Sequence, residues 1–377
     1  MNFELTEEQQ LVRDTVRGFA RDRVAPVAEE LDREQRFPYD LVAELAELGL
    51  MGMTIPEEYG GAGADTVSYA IAVEELTRVD SSVAITVAAH HSLGTLPIYY
   101  FGNEEQKQQW LPDLASGRKL AAFGLTEPGA GSDAGATRTT AELRDGRWTI
   151  DGSKMFITNA GTDITACVTL TARTGEDEIS NIVVPNGTSG YAISPPMHKL
   201  GWRASDTREL SFDSCTVPEA NLLGPRGEGF RQFLTILDGR RISVAAMGVG
   251  LAQGAYDLAY SYALEREQFG KPIAKFQAVR FQLADMATEI EAGRALVYKA
   301  AWLKDQGGEF ARDAAMAKLY TGELSHRVVN AALQIHGGYG YMEESAIARL
   351  YRDQKILEIG EGTNEVQRMV IARHLGL

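Results

Sequence analysis

The chain has 377 residues, enough for two or three ordinary domains and a large core. Its composition, 44% hydrophobic and 24% charged, is that of a globular protein, and a formal charge of −15 argues against a nucleic-acid or anionic-membrane surface, either of which needs clustered Lys and Arg. Cys167 and Cys215 are the only cysteines and lack CxxC or Cys/His ligand spacing, so neither a disulfide framework nor a metal site is expected.

The start, Met1 to Leu5, lacks the basic and apolar regions of a signal peptide, and no apolar run approaches the roughly 18 residues of a membrane span, so a cytoplasmic protein is expected. From Thr6 the chain reads TEEQ, a capping box, followed by Leu11, Val12, Val16, Phe19, Ala20 and Val24 at helical spacing. Pro26 and Pro38 break that pattern. A second helix spans 39–48 with Gly49 as its stop, Glu58 to Gly63 is a loop, helices follow at 66–79 and 83–96, and Asn103 caps one more. Residues 1–117 therefore read as an α-helical domain.

After Gly117 the character changes. β-branched or alternating runs occur at 120–125, 148–150, 155–158, 164–171, 182–184, 191–193 and 210–212, separated by turn pairs such as Asp145-Gly146, Asp151-Gly152 and Asn186-Gly187. No helix-length segment lies between them, so 118–228 reads as an antiparallel β domain. Helical pattern then returns at 230–265, 274–304, 310–336, 345–359 and 363–377, and 229–377 reads as an up-and-down helical bundle. The expected fold is thus α+β and multidomain, in the order α domain, antiparallel β domain, α bundle.

Four stretches could carry chemistry. Gly124 to Gly135 reads GLTEPGAGSDAG, where Gly129, Gly131 and Ala134 fit the loose GxGxxA dinucleotide form. TRTTAEL follows and reads as strand, so a Rossmann site is rejected. What remains is either a wide β-turn or a loop whose amides and hydroxyls hold a phosphate or a heteroaromatic edge. REQFGKP, from Arg266 to Pro272, leaves a helix C-terminus. QIHGGYGY, from Gln334 to Tyr341, puts three glycines between bundle helices. IGEGTNE, from Ile359 to Glu365, sets the Glu361 carboxylate between two glycines, with Thr363 as N-cap of the last helix. Alone, QIHGGYGY reads equally well as a turn, and the other three read better as ordinary turns or helix ends. The six histidines form no catalytic set, although the adjacent His90 and His91 would line a pocket or a helix face, and no GxSxG, HExxH or Walker-type motif occurs.

In combination and order these stretches resemble one family, the flavin-dependent acyl-CoA dehydrogenases. GLTEPGAGSDAGA is similar to its β-domain flavin signature and QIHGGYGYMEE, continued to Arg349 and Asp353, to its C-terminal signature, with REQFGKP, KMFITNA and EGTNEVQR in family order. The resemblance runs from the Thr6 helix to Leu377. It implies an oxidoreductase that uses FAD to convert an acyl-CoA thioester to the 2-enoyl-CoA. Glu361 matches the base for the α-proton, its backbone N–H and a flavin ribityl hydroxyl bind the thioester oxygen, and flavin N5 receives the β-hydride. Phe123, Leu125, Thr126, Gly131, Ser132, Phe156, Ile157 and Thr158 match isoalloxazine contacts. Arg266, Phe269, Gln277, Gln334, Ile335, Gly337 and Gly338 match positions that reach the FAD of a neighbouring subunit, and Thr363 and Glu365 begin a helix aimed at the cofactor. Ser132, Asp238, Arg241 and Gly362 match positions along the thioester and pantetheine. A shared cofactor implies a homotetramer built as a dimer of dimers, and the family implies electron-transferring flavoprotein as acceptor. Some relatives carry the base just before the position matching Arg241; here that residue is Arg240, which leaves Glu361. Many relatives have Tyr where Gly360 stands, which implies a wider acyl pocket that accepts branched chains, bounded by residues between 83 and 96 that include Ala89, His90 and His91; many have Trp where Phe156 stands, which bears on the shielding of the flavin face. The missing transit segment points to a bacterial cytoplasm. The rival readings are an acyl-CoA oxidase on the same fold, and a non-catalytic CoA-binding or helical scaffold.

Overall fold

Thr6 begins the first helix by donating its N–H to Gln9 Oε1 at 3.1 Å while its hydroxyl accepts from Gln9 N–H at 3.2 Å, the capping box its sequence predicts. The structure, a computed structural model, describes residues 4–377; Met1, Asn2 and Phe3, on which the leader-peptide expectation partly rests, lie outside them. Helices α1 (Glu7–Phe19), α2 (Ala28–Glu34), α3 (Tyr39–Glu47), α4 (Thr66–Thr77), α5 (Ser81–Ala89), α6 (Leu96–Phe101) and α7 (Glu104–Ala115) follow in order. Helix α4 and helix α5 are buried on every side, so they form the floor of the N-terminal region.

The central sheet comprises β1 (Leu120–Gly124), β2 (Thr140–Arg144), β3 (Arg147–Thr158), β4 (Thr165–Arg173), β5 (Ile179–Pro185), β6 (Tyr191–Ile193), β7 (Thr207–Pro218) and β8 (Leu222–Leu223), ordered β6-β7-β3-β2-β4-β5-β8 with β1 beside β4. Two features depart from the sequence expectation. Strand β1 runs parallel to β4, in register from Ala121 opposite Cys167 to Gly124 opposite Leu170. The β2–β3 hairpin supplies the crossover that a helix usually makes, so a parallel pair forms without a helical signal between its strands. The two short runs expected at 148–150 and 155–158 are one strand, β3, interrupted by irregularities between Ile150 and Gly152 and between Lys154 and Ile157. At the second of these Phe156 takes a φ of +63° and its ring stands 60% exposed, which a regular strand would not allow.

The helix expected at 83–96 is also divided. After α5 the turns widen into a π-helical segment, His90–Thr95, before α6. That segment lies against β1, where His90 Nδ1 accepts the Ala121 N–H at 3.1 Å and its Nε2 lies 2.9 Å from the Leu114 carbonyl. Both His90 and His91 are fully buried, and burial pulls them down to about 4 and about 3 respectively, so they are neutral groups within the core.

The C-terminal helices are α8 (Gly229–Glu265), α9 (Gln277–Asp305), α10 (Ala311–His336), α11 (Ala346–Gln354), α12 (Ile356–Ile359) and α13 (Asn364–His374), with a small hairpin, β9 (Glu267–Gln268) and β10 (Lys271–Pro272), after α8. Helix α10 packs along α8 and α9, and α8 also packs on α4, so one apolar core runs through both helical regions while Trp148, Ile150, Leu170 and Leu210 anchor a separate core in the sheet. The expected helix 345–359 breaks at Lys355 into α11 and α12.

One buried carboxylate ties the three regions together. Asp353 of α11 accepts Ser81 Oγ–H at 2.6 Å from the start of α5 and Trp202 N–H at 2.8 Å from the loop between β6 and β7. Burial, with the Asp80 carboxylate nearby, pushes its pKa up to about 6. Beside it Arg349 pairs with Asp80 at 3.3 Å, and Arg352 pairs with Asp32 of α2.

Candidate active site

A cleft of about 880 Å³ opens where the end of β1, the glycine-rich loop, the bulge of β3, the 197–202 segment, α8 and the α12–α13 turn converge. Its β-domain wall is fixed from below by Glu127. That buried carboxylate accepts the N–H groups of Arg138 at 2.7 Å and Thr139 at 3.0 Å, the Thr137 hydroxyl, and the Lys154 ammonium at 2.7 Å. Burial alone would raise Glu127, but Lys154 and these donors outweigh it and hold it at about 2; burial also lowers Lys154, to about 8, so near neutral pH the pair stays charged. The glycine-rich loop is thereby stapled to β3.

Above the staple, Phe123, Leu125 and Ile157 offer apolar surface, and Thr126, Ser132 and Thr158 edge it. None of those three side-chain hydroxyls has a hydrogen-bond partner among the described residues, although each faces the cleft. A flat apolar slot bordered by free hydroxyls suits a heteroaromatic ring with hydrogen-bonding edges, so these residues fit an isoalloxazine.

The opposite wall is the turn from Gly360 to Gly362. Gly360 N–H closes α12 on the Ile356 carbonyl at 2.7 Å, and Thr363 caps α13 by accepting Val366 N–H at 3.3 Å. Between them Glu361 holds a left-handed φ of +57°, costly for a residue with a Cβ. The strain is held by neighbours: Gln367 Nε2 donates to the Gly362 carbonyl at 2.9 Å and the Glu361 carbonyl at 3.3 Å, and Lys318 Nζ donates to the Gly362 carbonyl at 2.8 Å. Gly362 has a φ of +84°, and a Cβ there would meet Gln367 Nε2 at 2.8 Å, so glycine is favoured. The Glu361 side chain is 22% exposed into the cleft, with Oε1 3.3 Å from Arg240 Nη2. Its backbone N–H has no partner among the described residues.

Of the residues anticipated from sequence, Phe123, Leu125, Thr126, Gly131, Ser132, Phe156, Ile157, Thr158, Arg241, Glu361, Gly362 and Thr363 line this cleft. Asp238 does not line it but pairs with Arg241 one turn along α8. Ala89 lines it with Leu93, whereas His90 and His91 do not: they turn into the core, because the backbone of β1 and the Thr54 hydroxyl bind them there. Arg266, Ile335, Gly337 and Gly338 meet instead in a second, more open hollow of about 590 Å³, where the Arg266 guanidinium lies 5.5 Å from the Tyr339 ring centre. Phe269, Gln277, Gln334 and Glu365 line neither hollow, and Phe269 stands 92% exposed on the β9–β10 hairpin.

Sequence reasoning missed two walls. Phe230, Phe233, Leu234 and Leu237 form one side of the cleft beside the anticipated Arg241, and their helical spacing on α8 was a readable sign. Met197 to Trp202 has no periodicity; it is held by Asp353, by Arg352 Nη1 on the Leu200 carbonyl at 3.2 Å, and by His198 with Gln35 at 3.1 Å. Among the described residues no group of three or more His, Cys, Asp or Glu is placed to hold a metal ion, and no helix is long and apolar enough to cross a membrane.

Three family descriptions match the chain: acyl-CoA dehydrogenase N-terminal domain over residues 6–118, middle domain over 122–215 and C-terminal domain over 227–376. A probable acyl-CoA dehydrogenase of Bacillus subtilis, YngJ, is 52% identical over 378 residues, covering 100% of both chains. Among solved structures, butyryl-CoA dehydrogenase from Megasphaera elsdenii superposes with a TM-score of 0.97 at 44% identity, covering 100% of each chain. A chain from work on the electron transferring flavoprotein of Acidaminococcus fermentans and flavin-based electron bifurcation has a TM-score of 0.97 at 45% identity, covering 100% of this chain and 99% of that one. Acyl-CoA dehydrogenase complexed with FAD from Bacillus anthracis has a TM-score of 0.94 at 36% identity, covering 99% of this chain and 67% of that one. With its fold, its cleft and matches that span its length, the chain belongs to the acyl-CoA dehydrogenase family.

Proposed function

We propose that the cleft binds FAD and an acyl-CoA thioester side by side, and that Glu361 removes the α-proton of the acyl group. The observation that carries this reading is the Glu361 carboxylate, half-turned into a cleft whose other wall is an apolar slot edged by unpartnered hydroxyls. The α-proton passes to a Glu361 oxygen, and the α C–H electron pair becomes the new double bond as the β-hydride departs. FAD, when bound, supplies the acceptor for that hydride. The free Glu361 N–H is suited to donate to the thioester oxygen as charge develops there.

In this reading Phe123, Leu125, Thr126, Gly131, Ser132, Phe156, Ile157 and Thr158 hold the ring. Ser132, Arg241 and Gly362 follow the thioester and pantetheine, with Asp238 holding Arg241 in place. Arg266, Phe269, Gln277, Gln334, Ile335, Gly337 and Gly338 serve the FAD of a second copy, Thr363 and Glu365 start the helix behind the cofactor, and the protein works as a homotetramer. Regions 1–117, 118–228 and 229–377 act as N-terminal, flavin-holding and base-bearing units. The setting is fatty-acid β-oxidation in a bacterial cytoplasm, with electrons leaving to electron-transferring flavoprotein.

An anaerobic panel of acyl-CoA thioesters, scored by bleaching of the yellow protein, tests the reaction and defines chain length and branching together. No bleaching with any thioester would overturn the reading. Bleaching followed by fast reoxidation in air would replace the dehydrogenase with an oxidase, and colourless purified protein would favour a scaffold.

A further inference from the structure

Arg240 and Arg241 are adjacent on α8, about 100° apart around its axis, and meet different surroundings. Arg241 lines the cleft and pairs with Asp238. Arg240 turns inward and is 1% exposed. Its Nη1 donates to Ser92 Oγ at 2.9 Å, its Nη2 lies 3.3 Å from Glu361 Oε1, and its Nε is buried without a partner. Among the described residues Glu361 is the only carboxylate within ion-pair distance of this guanidinium. A buried guanidinium without a counter-charge is strongly unfavourable, and the Glu361 carboxylate turned towards it is the counter-charge the structure supplies. Among the described residues no other group donates to the Glu361 carboxylate, which leaves Oε2 free of donors.

We propose that Arg240 is a positioning residue for the base: from behind the cleft it fixes one oxygen of Glu361 and presents the other oxygen to the acyl α-carbon. The inference rests on Glu361 acting as the base. Three cations face the carboxylate: Arg240 and Arg241 from α8 and Lys318 from α10. Only Arg240 is within ion-pair distance; Lys318 binds the Gly362 carbonyl and the Asn364 side chain, and Arg241 is engaged by Asp238. Glu358 and Glu365, on the helices flanking the turn, lie in the field of Lys318.

The test is anaerobic stopped-flow bleaching of the FAD-loaded protein across pH. Arg240→Met is expected to slow bleaching by about 10- to 100-fold, as misplacement of a reacting group does, with KM for acyl-CoA within about threefold of wild type. Removing the cation is expected to move the acidic limb of the rate profile upward. Arg240→Lys, which keeps the charge, is expected to restore most of the rate and the position of that limb. Wild-type rate and limb in Arg240→Met would overturn the proposal, as would equal loss in the Met and Lys variants with the limb unmoved. Should Arg240→Met fail to fold, Ser92→Ala, which leaves Nη1 only Ser243 Oγ at 3.5 Å, is expected to slow bleaching by about threefold; an unchanged rate there would overturn it as well. If wild-type protein is bleached by no acyl-CoA, the failure lies with Glu361 as base rather than with Arg240.

Discussion

The cleft at Glu361 and the hollow at Arg266 treat charge and apolar surface in opposite ways. Around the cleft, cations are sunk into the protein: Lys154, Arg240, Arg241 and Lys318 are all buried, each with an acid or a carbonyl opposite. Around the hollow, aromatic rings are left bare, with Phe269 92%, Tyr341 80% and Tyr339 65% exposed. Buried paired charge fixes groups in place, whereas exposed rings bordering a groove are surface that another body can cover. In the proposed reading, bond-breaking falls to the first site and holding of the cofactor to the second.

The sharpest way to break this contrast is Glu361→Gln. It should leave the protein yellow and slow substrate-driven bleaching by at least about 100-fold, because a positioned base is lost while its shape remains. Bleaching at wild-type speed would place the chemistry elsewhere. Arg266→Ala should do the reverse: lose about 2 kcal/mol of FAD binding, read as a lower flavin-to-protein ratio after gel filtration, while the flavin that remains is bleached normally. A full flavin ratio in that variant would deny the hollow its holding role.

A third substitution tests whether the cleft walls depend on the junction beneath them. The Asp353 carboxyl is raised from 3.8 to about 6, so its contribution to stability is fully present below about pH 4 and is lost as pH climbs through about 6. Urea unfolding of wild type should therefore show this loss, on the order of 2 kcal/mol, and Asp353→Asn should flatten it. Identical pH dependence in both proteins would refute the burial of that group. The smallest effect expected is from Gly362→Ala, about 1 kcal/mol of stability by thermal unfolding, from an unfavourable backbone angle and a crowded Gln367.

The order of helices, strands and helices was legible because caps, turn pairs and periodicity are local chemistry, as at Thr6, Asn103 and Thr363. The residues that meet in the cleft were legible only through their resemblance to a family, since Phe123, Phe156 and Glu361 belong to different elements and nothing local brings them together. What escaped was set by distant partners. The parallel pairing of β1, the π-helical segment at His90–Thr95 and the Met197 to Trp202 wall depend on bonds to residues far along the chain. Arg240 could be dismissed as a base from its type, but its place behind Glu361 depends on the rotation of α8 against the last turn, which no short stretch encodes.

The Asp353 junction also governs how the chain comes apart. Ser81, Trp202 and Asp353 belong to three regions that an assay of isolated pieces would treat as separate, yet the wall of the cleft stands only while all three are in contact. A ligand at about 100 times its dissociation constant adds about 2.7 kcal/mol to whatever binds it, and here no region can leave without releasing that ligand. Occupied protein should therefore melt in one cooperative step at a higher temperature, with region-by-region unfolding confined to the empty form.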